Sequence, residues 1–280
     1  MSDKMIVLQN AAVRVVIDCE SELYRGGRFD RQGLIASFRR GPAEFCGAEG
    51  EGGGVGLCNE FGLADPVGFE DAQQGGLFLK IGVGWLQKTT DQYRQVYPYP
   101  IAELVRSQYT RLDGAVRCGF DSGEENGYAV RCSKTYTLTE DGVSVAFSLE
   151  NTGSKAIATS EYCHNFLTVN GTGGLPVDSK YSLQTGCEPI DRAVRDLIAG
   201  GQPVYYAAFD RAALPDSFRE WRFSHEDSPV MFRESCDFHP VRFAVWGTRA
   251  VISAECFHAL RLLPGERAVW SRTYYLLERV

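Results

Sequence analysis

In the stretch SEYCHNFLTVNG, residues 160–171, extended backbone places Tyr162, His164 and Phe166 on one face and Glu161, Cys163 and Asn165 on the other. One of only four histidines in the chain is thus framed by two aromatic rings. Such an imidazole is either a half-buried core histidine or an acid–base group beside an apolar wall. Other polar residues interrupt apolar surroundings. Glu255 closes the strand AVISAE, Lys80 breaks the run GGLFLKIGVGWL, Arg28 and Asp30 lie in YRGGRFDRQG, and Glu60 lies in CNEFG. A lysine inside an apolar run must snorkel to water or meet an anion. A carboxylate ending an apolar strand is a solvent contact or a site residue. Histidine and carboxylates together suit proton transfer near neutral pH. Covalent acyl transfer lacks support, because the chain has no G-x-S-x-G elbow and no cysteine with a protease signature.

The elements that must position these residues read mostly as strands. In GVSVAFSLEN, residues 142–151, Val143, Val145, Phe147 and Leu149 alternate with Ser144, Ala146, Ser148 and Glu150. RCSKTYTLT, 131–139, precedes it across Glu140-Asp141-Gly142, which predicts a hairpin. IATSEYCHNFLTVN, 157–170, follows as a further strand, and others are expected at 13–18, 33–39, 241–247, 250–255 and 268–277. Helical periodicity is confined to a short candidate at 192–200. Residues 41–76 carry eleven glycines and read as a long loop that either lines a site or is a flexible excursion. The run matches neither the P-loop nor G-x-G-x-x-G, which disfavours nucleotide binding.

Composition narrows the class. A chain of 280 residues with 44% hydrophobic and 12% aromatic content is expected to form one all-β, mostly antiparallel domain over residues 1–280. Net charge of −7 and a pI near 5.3 argue against nucleic acid. MSDKMIVLQN lacks the apolar run of a signal peptide, and no stretch approaches the roughly 18 apolar residues of a membrane helix. A soluble, cytoplasmic protein without a membrane partner is the expectation. Nine cysteines, with no C-x-x-C, suggest reduced thiols. Cys163–His164, Cys236–His239 and Cys256–His258 lack zinc-finger spacing, so no metal is expected.

The order of these landmarks resembles the galactose mutarotase-like superfamily, the aldose 1-epimerases and their relatives. SELYRGGRFDRQGLIASF (21–38) is similar to the opening strands, NTGSKAIATSEYCHNFLTVNG (151–171) to the block that carries the family histidine, and VISAECFHALRLLPGERAVW (251–270) to the block with a strand glutamate before L-x-P-G-E. AVWSRTYYLLERV resembles the last strand. A bacterial branch without a settled reaction is similar also at R-G-x-R-F-D, F-x-K-I-G-V-G and C-H-N-F, here Arg25–Asp30, Phe78–Gly84 and Cys163–Phe166.

The resemblance implies a β-supersandwich acting on a sugar without metal or organic cofactor. His164 would be the acid at the ring oxygen and Glu255 the base at the anomeric hydroxyl, facing each other across a groove with room for one ring. Arg28, Glu60, Lys80, Tyr162 and Phe166 would bind the substrate. One departure stands out: family epimerases carry a further upstream histidine, whereas all four histidines here follow residue 160. Arg28 and Lys80 in its place would suit an anionic sugar, unless internal ion pairs with Asp30 or Glu60 use them up. The alternatives are a non-catalytic sugar-binding protein and a lyase on an acidic sugar, since fold does not set reaction.

Overall fold

The computed structural model describes residues 4–50, 52–170 and 180–279. The chain runs β1 (Met5–Gln9), β2 (Arg14–Asp18), β3 (Leu34–Arg40), β4 (Ala43–Glu44), β5 (Leu57–Phe61), β6 (Leu77–Lys80), β7 (Gly84–Gln87) and β8 (Ile101–Leu104). It continues through β9 (Gln108–Leu112), β10 (Ala115–Asp121), β11 (Val130–Leu138), β12 (Gly142–Asn151), β13 (Ile157–Asn165) and β14 (Tyr181–Gln184). After the helix α1 (Glu188–Ala199) come β15 (Val204–Asp210), β16 (Glu220–His225), β17 (Val230–Cys236), β18 (Arg242–Thr248), β19 (Ile252–Leu262) and β20 (Arg267–Glu278).

Nine strands form one sheet in the order β1-β2-β3-β5-β13-β19-β18-β15, with β4 paired to β3. Eight form a second sheet, β14-β16-β17-β20-β12-β11-β10-β9, and β6-β7-β8 make a small third. Every strand pair described is antiparallel. The expected hairpin is β11–β12. Its inward residues Val143, Val145, Phe147 and Leu149 are buried, each contributing about 1.5–3 kcal/mol by leaving water. The two large sheets meet through aromatic pairs such as Phe61 against Trp270 and Phe38 against Phe232.

A charged group sits in the middle of this interface. Arg272 of β20 has no exposed side-chain surface and donates from Nη2 to Glu161 Oε2 of β13 at 2.7 Å and from Nη1 to Glu234 Oε1 of β17 at 2.6 Å. The carboxylates are otherwise satisfied, Glu161 by Asn59 and the Trp270 indole, Glu234 by Asn165 and the Trp221 indole. A buried charge persists only when paired and hydrogen-bonded in this way.

Three expectations need correction. The glycine-rich region is not one long loop: Cys58, Asn59, Glu60 and Phe61 belong to β5, a central strand between β3 and β13. Its polar residues hid it, because all five of its residues are buried and Asn59 and Glu60 meet partners rather than water. Glycine serves a different purpose nearby. A Cβ on Gly54 would lie 2.1 Å from the Phe166 ring, and Gly56, at φ +63°, would place one 2.0 Å from the Ile35 carbonyl oxygen. Second, Glu255 does not end its strand, since β19 continues to Leu262. Third, the helix begins at Glu188, because Pro189 is accommodated in its first turn, where an unpaired N–H would occur anyway.

Replacing the interface guanidinium should be costly. Arg272→Met strands two buried carboxylates, so urea unfolding should show a loss of about 3–5 kcal/mol at pH 8. The deficit should shrink at pH 5, where carboxylates left without a cation take up protons more readily than they do in the unfolded chain. A loss below about 1 kcal/mol at both pH values would mean that the network is dispensable.

Candidate active site

The register of β5, β13, β19 and β18 decides what shares the face turned away from the sheet interface. Glu60 lies opposite Tyr162 and Cys58 opposite His164. On the other side of β13, Glu161 pairs with His258, which continues to place His164 beside Glu255. Glu255 in turn is opposite Ala244, Ser253 opposite Trp246, and Phe257 opposite Arg242. Because side chains alternate, Glu161 and Asn165 point into the core while Tyr162 and His164 point out.

His164 Nε2 and Glu255 Oε1 are 3.4 Å apart, and each side chain keeps 5% of its surface open. The structure thus corrects the expectation of a ring-wide gap between them: their strands are immediate neighbours, so the two groups stand side by side. The imidazole stacks on Phe166 with ring centres 4.1 Å apart, while Trp246 and Phe29 meet it edge-on at 5.0 and 5.5 Å. Burial pushes its pKa well below the usual histidine value, and the positive charge of Arg28 adds to the effect. Burial also pushes the Glu255 carboxyl up, to about 8; the Ser253 hydroxyl, which donates at 2.9 Å, and the charges of Arg28 and Arg242 offset this only in part. At neutral pH the contact is therefore between a neutral imidazole and a protonated carboxyl, not an ion pair. The pair holds one proton.

Glu60 takes the opposite state on the same face. Its Oε1 accepts from Lys80 Nζ at 2.8 Å, and its Oε2 from Arg28 Nε at 2.9 Å and the Tyr162 hydroxyl at 2.5 Å. Burial alone would raise its pKa, but Lys80 and Arg28, helped by Tyr162, outweigh it and hold the carboxyl below the usual range. Lys80, expected to meet a ligand, has no exposed side-chain surface; it lies 5.4 Å over the Tyr93 ring and donates to the Gly62 carbonyl as well. It acts on the outer face only through Glu60, itself fully buried. Internal pairing consumes both, while Arg28 keeps 22% of its side-chain surface and also reaches the Tyr162 hydroxyl at 3.0 Å. Asp30 does not take part, being buried in an ion pair with Lys134 at 3.0 Å.

Sequence reasoning passed over Phe29, Arg242, Trp246 and Ser253. The signal was present in VRFAVWG, where alternation puts Arg242, Ala244 and Trp246 on one face, and in AVISAE, where Ser253 and Glu255 are two apart. Two surface cavities, of about 330 and 280 Å³, lie elsewhere, around Arg117 and Arg131 and around Arg31 and Arg106. Neither contains a candidate residue, and residue chemistry rather than volume locates the site. Among the described residues no group of three His, Cys, Asp or Glu side chains is placed to hold a metal ion, and no helix is long and apolar enough to cross a membrane.

No family model matches the chain, and no curated protein matches its sequence. Solved structures do. A galactose mutarotase-like protein from Clostridium acetobutylicum superposes with a TM-score of 0.65 at 11% identity, over 98% of this chain and 95% of the other. The chain has the galactose mutarotase-like fold. A galactose mutarotase related enzyme from Lactobacillus acidophilus gives 0.61 at 10% identity over 98% and 97%, and a GalM/aldose epimerase homologue from C. elegans gives 0.61 at 9% over 99% of both chains. In this chain the outer face of the nine-stranded sheet carries the candidate residues.

Titration of Glu255 should be visible in stability. The folded protein keeps its proton up to about pH 8, whereas the unfolded chain releases it near 4.5. The proton therefore favours the folded state at low pH, and that advantage disappears as pH rises through this window. Relative to Glu255→Gln, wild-type stability should fall by up to about 1.4 kcal/mol per pH unit between pH 5 and 8. Urea midpoints at three pH values measure it, and a pH-independent difference would mean that the folded protein holds Glu255 ionised.

Proposed function

We propose that the protein is an isomerase of the aldose 1-epimerase type that interconverts the anomers of a sugar on the outer face of the nine-stranded sheet. The observation that carries this reading is the His164–Glu255 contact, an acid and a base side by side with one proton between them. Anomer exchange moves protons on two oxygens bonded to the same carbon. An acid and a base on adjacent strands suit that task better than a pair separated by a whole ring.

Burial reverses the roles implied by the resemblance. Glu255 starts protonated and gives its proton to the ring oxygen, while neutral His164 takes the proton of the anomeric hydroxyl. The bond from the anomeric carbon to the ring oxygen breaks as the aldehyde forms. The pair is left as imidazolium and carboxylate, opposite charges whose attraction in a poorly solvated site stabilises this state. Rotation about the adjoining carbon–carbon bond presents the other aldehyde face, and closure returns both protons. Trp246, partly exposed, offers apolar surface to the CH face of a sugar, and Arg28 offers a donor already fixed by Glu60.

Polarimetry or NMR on a freshly dissolved anomer, over a panel of hexoses, tests the reading. The protein should accelerate re-equilibration, and His164→Ala and Glu255→Gln should each slow it by about 10²–10⁴ without unfolding the chain. A shift of the resting anomer ratio with no change in rate would make it a binding protein instead. The rate should decline above about pH 8 as Glu255 loses its proton. Because a pH profile counts protons on the pair without locating them, ¹⁵N NMR of the His164 ring at pH 7 decides the roles. A neutral ring is expected, and an imidazolium would restore histidine as the starting acid.

A further inference from the structure

Arg242 stands apart from the other cations on the outer face. Arg28 and Lys80 are both bonded to Glu60, but among the described residues no carboxylate lies within ion-pair distance of Arg242. Its register partner Asp210 is on the edge strand β15 and makes no such pair with it. Among the described residues the guanidinium makes one hydrogen bond, from Nη2 to the Tyr206 hydroxyl, and it lies over the Phe257 ring at 5.5 Å and the Tyr206 ring at 5.9 Å. Its Nε is buried without a partner. Two other arginines share that last feature, but Arg272 is neutralised by two carboxylates, and Arg233 lies over Tyr275 on the other sheet.

Position gives the unpaired fork its meaning. Arg242 is cross-strand from Phe257 and two residues from Ala244, the register partner of Glu255, and its charge acts on the Glu255 carboxyl. Phe257 stacks on Tyr162 at 4.4 Å, so apolar surface joins Arg242 to the Glu60 end of the face. With Glu255 holding its proton and His164 neutral, Arg28, Lys80 and Arg242 stand against Glu60 and the exposed Asp210, whose charge acts on Tyr206, a local surplus of one positive charge in a chain of net charge −7. A neutral sugar requires no such surplus. A carboxylate, sulfonate or phosphate would accept from the two terminal nitrogens at the exposed end of the guanidinium, a bidentate geometry that this group favours.

We infer that Arg242 binds an anionic substituent of the sugar, and so selects acidic or phosphorylated sugars over neutral ones. The inference rests on the outer face being a sugar site, and it replaces Lys80 as the second cation with a residue that has donors to spare.

The test titrates a neutral hexose, its uronate and its phosphate ester against wild type, Arg242→Gln and Arg242→Met at pH 7, with anomer exchange followed on the same samples. Wild type should bind at least one anionic sugar more tightly than the neutral one, and whichever of the uronate and the phosphate gains more identifies the group. The ratio of anionic to neutral affinity should drop by about 10- to 100-fold in the variants. Using a ratio cancels any general weakening, and Arg242→Met preserves the stem over Phe257 if the glutamine variant fails to fold. Equal affinities in wild type, or an unchanged ratio in a folded variant, would overturn the inference. Accelerated exchange with no anionic preference defeats it and leaves the epimerase reading intact; anionic preference without acceleration does the reverse.

Discussion

Arg272 reaching across the sheet interface to Glu161 is the constraint on which the outer face depends. Side chains on a strand alternate with a period of two, so fixing Glu161 toward the core commits Tyr162 and His164 of β13 to the other side. A slip of one residue would bury the imidazole between the sheets and strand a carboxylate outside. Asn165 and Asn59, which bond to Glu234 and Glu161, secure the same register on β13 and β5. The buried charges thus favour one register strongly, because every alternative leaves an ion buried without a partner.

On the outer face, one sheet keeps two buried carboxyl groups in opposite protonation states. Burial raises the pKa of both Glu60 and Glu255. Glu60 has an ammonium, a guanidinium and a phenol in contact and stays ionised, whereas Glu255 has a hydroxyl and a neutral imidazole in contact, with two guanidiniums and the opposing charge of Glu60 acting through space, and keeps its proton. Partner count, rather than depth, separates them. This division lets a structural charge and a transferable proton coexist in one sheet with only β13 between their strands.

The aromatic layer ties the pair to the rest of the chain. Phe166 lies beneath His164, and the close approach of Gly54 to that ring explains why part of the glycine run is glycine. Phe29 reaches the same imidazole from a segment anchored by the buried Asp30–Lys134 ion pair. Apolar walls on three sides make ionised histidine costly and so hold the proton of the pair on the carboxyl.

The all-β class, the β11–β12 hairpin and the shared face of Tyr162, His164 and Phe166 were legible in the sequence, because alternation is local and shows wherever one face is apolar and the other polar. β5 was not legible: Asn59 and Glu60 read as loop residues until their partners, from Lys80 to Glu161, are brought in from distant parts of the chain. The same holds for Lys80, whose run announced a buried cation but not which anion would claim it. Arg242 was visible as a residue and invisible as a site, since its lack of a carboxylate partner depends on what the other strands present. Strand faces are set by a two-residue period that the sequence carries by itself. Ion pairing and the location of a proton depend on distances and burial between segments up to a hundred or more residues apart, as for Glu60 and Tyr162, and only the tertiary structure decides them.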